Sequence, residues 1–315
     1  MFPSIVICTY NRCHLLPVLL GTLQEQLQGI DGEILLVDNG SSDGTAEVVE
    51  EIASTPLQTT IRYFLETRQG LSYARNRGVE EAKGDIVLFL DDDALPCDSW
   101  LHEHIRVFEL DQRIGAVGGK IDLCFDKQIR RPWWLTRSYF RELGAYNLQL
   151  ENLTDYGSGY DTPAGGNMSF RKSALAEVGP FDPALGREAN IFLAGEEFDL
   201  SWKLLDNGWR TIYNPKASAK HLVLPERLKV SFFRKRFKAN VLTGRLLAQR
   251  GYATLSLRKN MRRAFGSLLR DAGRCIWARG AGDKLYYALR VEAHLFSVIL
   301  LLQHSTAQGD FGSQQ

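Results

Sequence analysis

The chain has 315 residues, room for two domains or for one large α/β domain with an appendage. Hydrophobic residues make up 44% and charged residues 24%, the balance of a folded chain, which excludes intrinsic disorder and fibrous repeats. The 38 Lys/Arg and 37 Asp/Glu nearly cancel, yet residues 1–225 hold 21 basic against 32 acidic side chains and residues 226–290 hold 17 against 3, so two differently charged parts are joined.

Residues 4–8 form a β-branched run that stops at polar Thr9-Tyr10-Asn11-Arg12, after which Leu15, Leu16, Leu19, Leu20 and Leu23 recur at helical spacing. A second apolar strand over 33–37 ends at Asp38 and a Gly/Ser loop, and Thr45 can cap the next helix. Residues 61–65 read as a third strand, 71–83 as a helix broken at Gly84, and 86–90 as a fourth strand running into Asp91-Asp92-Asp93. Strands alternating with helices predict an α/β fold whose mainly parallel sheet is covered on both faces. Ligands of such sheets lie off the carboxyl ends of the strands, where Thr9, Tyr10, Asn11, Asp38 and the three aspartates should converge. Residues 115–120 read as a glycine-rich turn. Residues 122–161, with Trp133, Trp134, Tyr139, Phe140, Tyr146, Tyr156 and Tyr160, read as a long aromatic loop or lid over a site. From Leu228 to about Leu302 the pattern is helical and basic, and residues 309–315 read as a loose tail.

Three adjacent carboxylates repel one another, so their place directly after an apolar strand points to a divalent cation on oxygen ligands, Mg2+ or Mn2+. A solvated acidic turn or helix cap is the competing reading. A dehalogenase-type phosphotransferase would continue Asp-x-Asp-x-Thr, but Leu95-Pro96 follows here. A dinucleotide oxidoreductase would need Gly-x-Gly-x-x-Gly where this chain has Thr9-Tyr10-Asn11-Arg12-Cys13-His14. The five cysteines, Cys8, Cys13, Cys97, Cys124 and Cys275, include no Cys-x-x-Cys pair, which suggests neither a disulfide framework nor a zinc site and fits a reducing compartment. The opening residues lack the basic start and apolar stretch of a signal peptide, so secretion is not expected. The longest apolar stretch, about 295–302, falls short of the roughly 20 residues of a spanning helix.

Four ordered motifs then resemble the family 2 glycosyltransferases: Ser4-Ile5-Val6-Ile7-Cys8-Thr9-Tyr10-Asn11-Arg12, Leu36-Val37-Asp38-Asn39-Gly40-Ser41, Gly70-Leu71-Ser72-Tyr73-Ala74-Arg75-Asn76-Arg77-Gly78 and Phe89-Leu90-Asp91-Asp92-Asp93. The likeness continues through Gly165-Gly166-Asn167-Met168, Gly179-Pro180-Phe181-Asp182 and Gly195-Glu196-Glu197-Phe198-Asp199 to His221, and covers about residues 3–224. It implies a GT-A fold over 1–225, with a nucleotide-binding half of about 1–120 and an acceptor half of about 121–225, followed by a basic helical region over 226–315. It implies inverting transfer from a nucleotide-sugar, UDP-linked by frequency among similar enzymes, to a glycan or lipid-linked acceptor. Thr9 and Tyr10 would line the nucleobase pocket, Asn11 would belong to the same nucleotide-binding set, Asp38 would accept from base or ribose, Asp91 and Asp92 would face ribose and phosphate, and Asp93 with His221 would hold the metal.

Inversion needs a base for the acceptor hydroxyl. The family usually presents Glu-Asp where this chain has Glu196-Glu197, so Glu197 takes the base position and Asp199 is the runner-up; an acidic helix start is the bland alternative. Arg75 would reach a nucleotide phosphate or hold Asp38. Gly166, Asn167, Trp134 and Glu196 are the acceptor-side candidates, with Trp134 also readable as core. Basic residues interleaved with Phe232, Phe233, Phe237 and Leu242 suggest interfacial helices on an anionic membrane more than a nucleic-acid partner, against packing or dimer contact. The expected place is the cytoplasm or the inner face of the cell membrane. The competing class is a non-catalytic nucleotide-sugar-binding scaffold of the same fold.

Overall fold

The computed structural model describes residues 1–54, 60–157, 161–187, 193–251 and 257–309, without the side chains of 257–263 and 301–309. Tyr160, the Leu301 and Leu302 side chains and the tail from residue 310 therefore lie outside the described residues. The chain divides into two units, Met1–Asp126, Gly144–Asn190 and Gly195–Val223 against Lys127–Leu143, Ile191–Ala194 and Leu224–Gln315.

The first unit runs β1 (Pro3–Thr9), α1 (Leu16–Gln26), β2 (Glu33–Asp38), α2 (Thr45–Ala53), β3 (Thr60–Leu65), α3 (Leu71–Glu81), β4 (Ile86–Leu90), β5 (Ala94–Pro96), α4 (Trp100–Leu110), β6 (Ile114–Cys124), β7 (Thr154–Asp155), β8 (Asn167–Arg171), α5 (Lys172–Val178), α6 (Glu196–Asp206) and β9 (Arg210–Leu222). The sheet order is β3-β2-β1-β4-β8-β6-β9-β5, with β7 on β9. Strands β3, β2, β1 and β4 are parallel, β8 enters antiparallel between β4 and β6, and β6 with β9 is parallel again. This is the α/β architecture the alternating pattern predicts. Side chains alternate across the pleat. Ile5, Ile7, Ile34, Leu36 and Leu88 face Leu16, Leu20, Trp100 and Phe108, while Val6, Leu35, Val87 and Phe89 face Ala74, Phe170, Phe181 and Leu200.

Residues 115–120 are not a turn; they lie inside β6. Their glycines are there because neighbours fill the space. A Cβ at Gly119 would collide with the Ala217 carbonyl oxygen, and one at Gly118 would collide with the Tyr156 hydroxyl. The β6–β9 register shifts between Gly119 and Ile121, where the Ala217 carbonyl crowds in. Backbone cannot yield as a flexible side chain does, so Gly119→Ala is expected to cost at least about 3 kcal/mol, the upper end for overpacking. The midpoint of urea unfolding at unchanged slope measures it.

The second unit contains α7 (Val230–Gln249), α8 (Leu257–Trp277) and α9 (Ala281–Gly309), helices that carry the basic stretch. Much of the aromatic stretch read as a lid belongs here: buried Tyr139 meets Phe233, Tyr286 and Trp134 edge to face, with centroids 4.7, 5.0 and 5.4 Å away. Phe233 and Phe237 are buried as well, so they face this core and not a membrane. No helix among the described residues is long and apolar enough to cross a bilayer.

Candidate active site

β1 and β2 run in register to the pair Thr9 and Asp38, so their exit loops share one end of the sheet. The loops are laced together. Asn11 adopts φ 53°, a left-handed conformation that asparagine tolerates; its backbone N–H donates to Ser41 Oγ and its side-chain Oδ1 accepts from Ser42 N. Asp38 is buried and accepts from Ser41 N at 2.8 Å and from the Tyr63 hydroxyl at 2.9 Å. Burial, then that bond to Asp38, push the Tyr63 phenol up to about 12, so it remains a donor. Tyr10 is exposed at the loop's edge.

β4 stops at Leu90, and the three aspartates enter a turn closed by Ala94 N donating to Asp91 O at 3.0 Å. Pairing of β5 with β9 sets Ala94 opposite His221, and Leu222 N donates to Asp93 O at 2.7 Å. Ligand atoms of Asp91, Asp93 and His221 thereby come within 4.8 Å of one another, with Asp93 Oδ1 3.1 Å from His221 Nε2. Asp92 leaves the group. It accepts from Thr9 Oγ1 at 2.8 Å and from Arg12 Nη1 at 2.6 Å, and Arg12 also reaches Asp93 Oδ2 at 2.9 Å. The turn thus puts Asp91 beside Asp93 while Asp92 points toward Thr9 and Arg12. Burial pushes Asp92 up to about 6, with Arg12 opposing. Two carboxylates and one imidazole, two of the three residues buried, form a donor set that fits a small divalent cation with positions left for other oxygens.

Arg75 on α3 is buried at the junction of three segments. Its Nη1 donates to Glu196 Oε1 at 2.5 Å, its Nη2 donates to Gly165 O at 2.9 Å, and Nη2 lies 3.9 Å from Asp91 Oδ1. It does not hold Asp38, whose partners are Ser41 and Tyr63. Gly165 and Gly166 allow the approach, since Cβ atoms there would fall 2.8 Å from Arg75 Nη2 and from Asp91 Oδ2. Both Glu196 oxygens are engaged, the second by Gly195 N at 3.0 Å. Asp199 is buried and paired with Lys203 one turn on, at 2.7 Å. Glu197, at the start of α6, differs: its Oε2 is shielded from solvent with no hydrogen-bond partner among the described residues. Burial, then the charge of Glu196, raise its carboxyl to about 8, with Arg75 opposing. Removing Arg75 strands a buried carboxylate, so Arg75→Met is expected to cost about 3–5 kcal/mol in chemical unfolding.

Asn167 is buried and its amide is spent on the fold: Nδ2 donates to Lys120 O and Ala217 O, while Oδ1 accepts from Trp100 Nε1 at 2.7 Å and faces His104 Nε2 at 3.1 Å. The two carbonyl contacts fix the amide's orientation, which makes His104 Nε2 the protonated nitrogen. Burial lowers His104 to about 4 and keeps it neutral. Trp134 belongs to the second unit, against Tyr139 and Phe233. Arg12 and Tyr63 are site residues that motif reading passes over. Arg12 is signalled by its basic charge in a strand-end loop facing three aspartates; Tyr63 meets Asp38 only through strand pairing, which no linear pattern shows.

Residues 4–179 match the family model described as Glycosyl transferase family 2. A glucosyl-dolichyl phosphate glucuronosyltransferase of Haloferax volcanii is 25% identical over 238 residues, 71% of this chain and 70% of that protein. A poly-beta-1,6-N-acetyl-D-glucosamine synthase of Staphylococcus aureus is 29% identical over 196 residues, 62% of this chain but only 44% of its own length. Among solved structures, a mannosyltransferase of Pyrobaculum calidifontis in complex with GDP-Man and Mn2+ superposes with a TM-score of 0.61 at 19% identity, covering 95% of this chain and 85% of that one. That likeness extends to the fold.

Proposed function

The chain belongs to glycosyl transferase family 2, and from that premise we propose an inverting, divalent-metal-dependent transfer of one sugar from a nucleotide-sugar to a glycan or lipid-linked acceptor. The observation that supports it best is Arg75, which pairs with Glu196 and lies 3.9 Å from Asp91, so that one buried arginine stands between the aspartate turn and the Glu196-Glu197 pair. Asp91, Asp93 and His221 would hold the cation, with Arg12 neutralising Asp92. When bound, the ion would offset negative charge developing on the departing nucleoside diphosphate.

Thr9, Tyr10, Asn11 and Asp38 receive the nucleoside at the shared loop end; each Asp38 oxygen takes one bond and keeps a lone pair for a ribose or base donor. Glu197 takes the proton of the acceptor hydroxyl as that oxygen attacks the anomeric carbon from the side opposite the leaving group, so configuration inverts. Its raised pKa suits a base working near neutral pH. Glu196 and Arg75 position it, and Gly166 is the acceptor-side candidate beside Asp91. Relatives whose names specify a dolichyl-phosphate-linked substrate and a polysaccharide product support both acceptor classes. The test is release of nucleoside diphosphate from a panel of UDP- and GDP-sugars with Mn2+, with and without a chelator. One donor should turn over in a metal-dependent way; binding of donors without turnover of any would replace the enzyme with a scaffold.

A further inference from the structure

α8 carries an apolar stripe left open by the described residues of its own unit. Phe265, Leu269 and Ile276 recur at helical spacing and are 46%, 69% and 72% exposed, and Trp277, which closes the helix, is 84% exposed. The inward face is set by Asp271, fully buried, which accepts from Arg290 Nε at 2.8 Å and meets His294 Nε2 at 3.0 Å, both on α9. A second open tryptophan belongs to the same end of the unit. Trp133 is 78% exposed, and the carbonyl of its neighbour Trp134 abuts Gly282 at the start of α9, a short turn beyond Trp277. Exposed arginines flank both: Arg130, Arg131 and Arg137 around the one, Arg270, Arg274 and Arg279 around the other. Of the three acidic residues in 226–290, Asp271 is buried, Asp283 accepts from the Thr136 and Ser138 hydroxyls, and only Glu226, in the turn before α7, is exposed.

We propose that this face docks on an anionic lipid surface, the Trp, Phe, Leu and Ile side chains entering the headgroup boundary and the arginines meeting phosphates. Tryptophan suits that boundary, with an apolar body and a polar tip. Leu269 and Ile276 offer nothing to a nucleic-acid backbone, and a second copy would set one strongly basic face against another. In this reading the helices lie on the bilayer; among the described residues no helix is long and apolar enough to span it. The inference stands on the second unit alone and is independent of the transfer chemistry.

The test is flotation of the full chain with vesicles of phosphatidylcholine alone and of phosphatidylcholine with phosphatidylglycerol in equal parts. Retention is expected on the anionic vesicles, falling as salt rises, with a blue shift of tryptophan emission. Because both positions are exposed, Leu269→Glu/Ile276→Glu should fold as the parent does by circular dichroism and bind at least about tenfold more weakly. Equal binding by parent and variant, or no preference for anionic vesicles, overturns the proposal. So does a dimer that the double variant dissociates, or capture of the chain by RNA in place of vesicles.

Discussion

Asp93→Asn is expected to lower sugar transfer roughly a thousandfold, because removing a charged cation ligand forfeits several kcal/mol of stabilisation on the leaving group. The change is nearly isosteric. The new amide oxygen could still accept from Arg12 while the amide nitrogen stands beside His221 Nε2, so the fold should survive and the loss should fall on cation binding. The charge balance explains why Asp93 matters more than a carboxylate at a strand end usually would: Asp91, Asp92 and Asp93 carry three formal negatives, Arg12 supplies one positive, and a divalent ion supplies the remaining two. Calorimetric titration with Mn2+ and UDP separates this from misfolding. The parent should take up both together and the variant should not, with far-ultraviolet circular dichroism unchanged. Undiminished Mn2+ uptake by the variant would remove the cation from this triad.

The strand ends are legible in the sequence because one signal marks two things: an apolar run that stops at a carboxylate ends a strand and opens a ligand site. Asp38 and Asp91 to Asp93 stand out that way. What the pattern does not show depends on space or pairing. Glycines at 115, 118 and 119 look the same in a turn and in a crowded strand, and only the nearness of neighbours such as Ala217 and Tyr156 decides. Asp91 and Asp93 share a side while Asp92 turns to Arg12 because of a local turn, which three identical letters do not encode. Phe233 and Phe237 at helical spacing among basic residues are equally good as a lipid face or a core face. Tyr139 and Tyr286, distant in sequence, select the core. The exposed stripe lies instead on α8.

Glu197→Gln is expected to lower transfer by about 10^2–10^4-fold, the range for a lost general base, while leaving Mn2+ and UDP uptake intact. That contrast distinguishes it from Asp93→Asn, which should lose both. Its pH behaviour has a definite sign. A carboxyl raised to about 8 is mostly protonated below that pH, so the parent's kcat/KM should climb as pH rises through about 8, and the variant should lose that limb. Stability runs the other way. With the native pKa above the unfolded one, the folded state holds the extra proton, and its contribution is complete below the unfolded pKa and disappears as pH rises through the native value. Glutamine cannot ionise, so Glu197→Gln should unfold at higher denaturant than the parent above about pH 8, even as transfer falls. Glu197→Asp keeps the charge on a side chain one methylene shorter and should retain part of the activity together with the alkaline limb. A variant with full turnover after Glu197→Gln would move the base elsewhere, and Asp199, held by Lys203 at 2.7 Å, would have to leave that ion pair to serve.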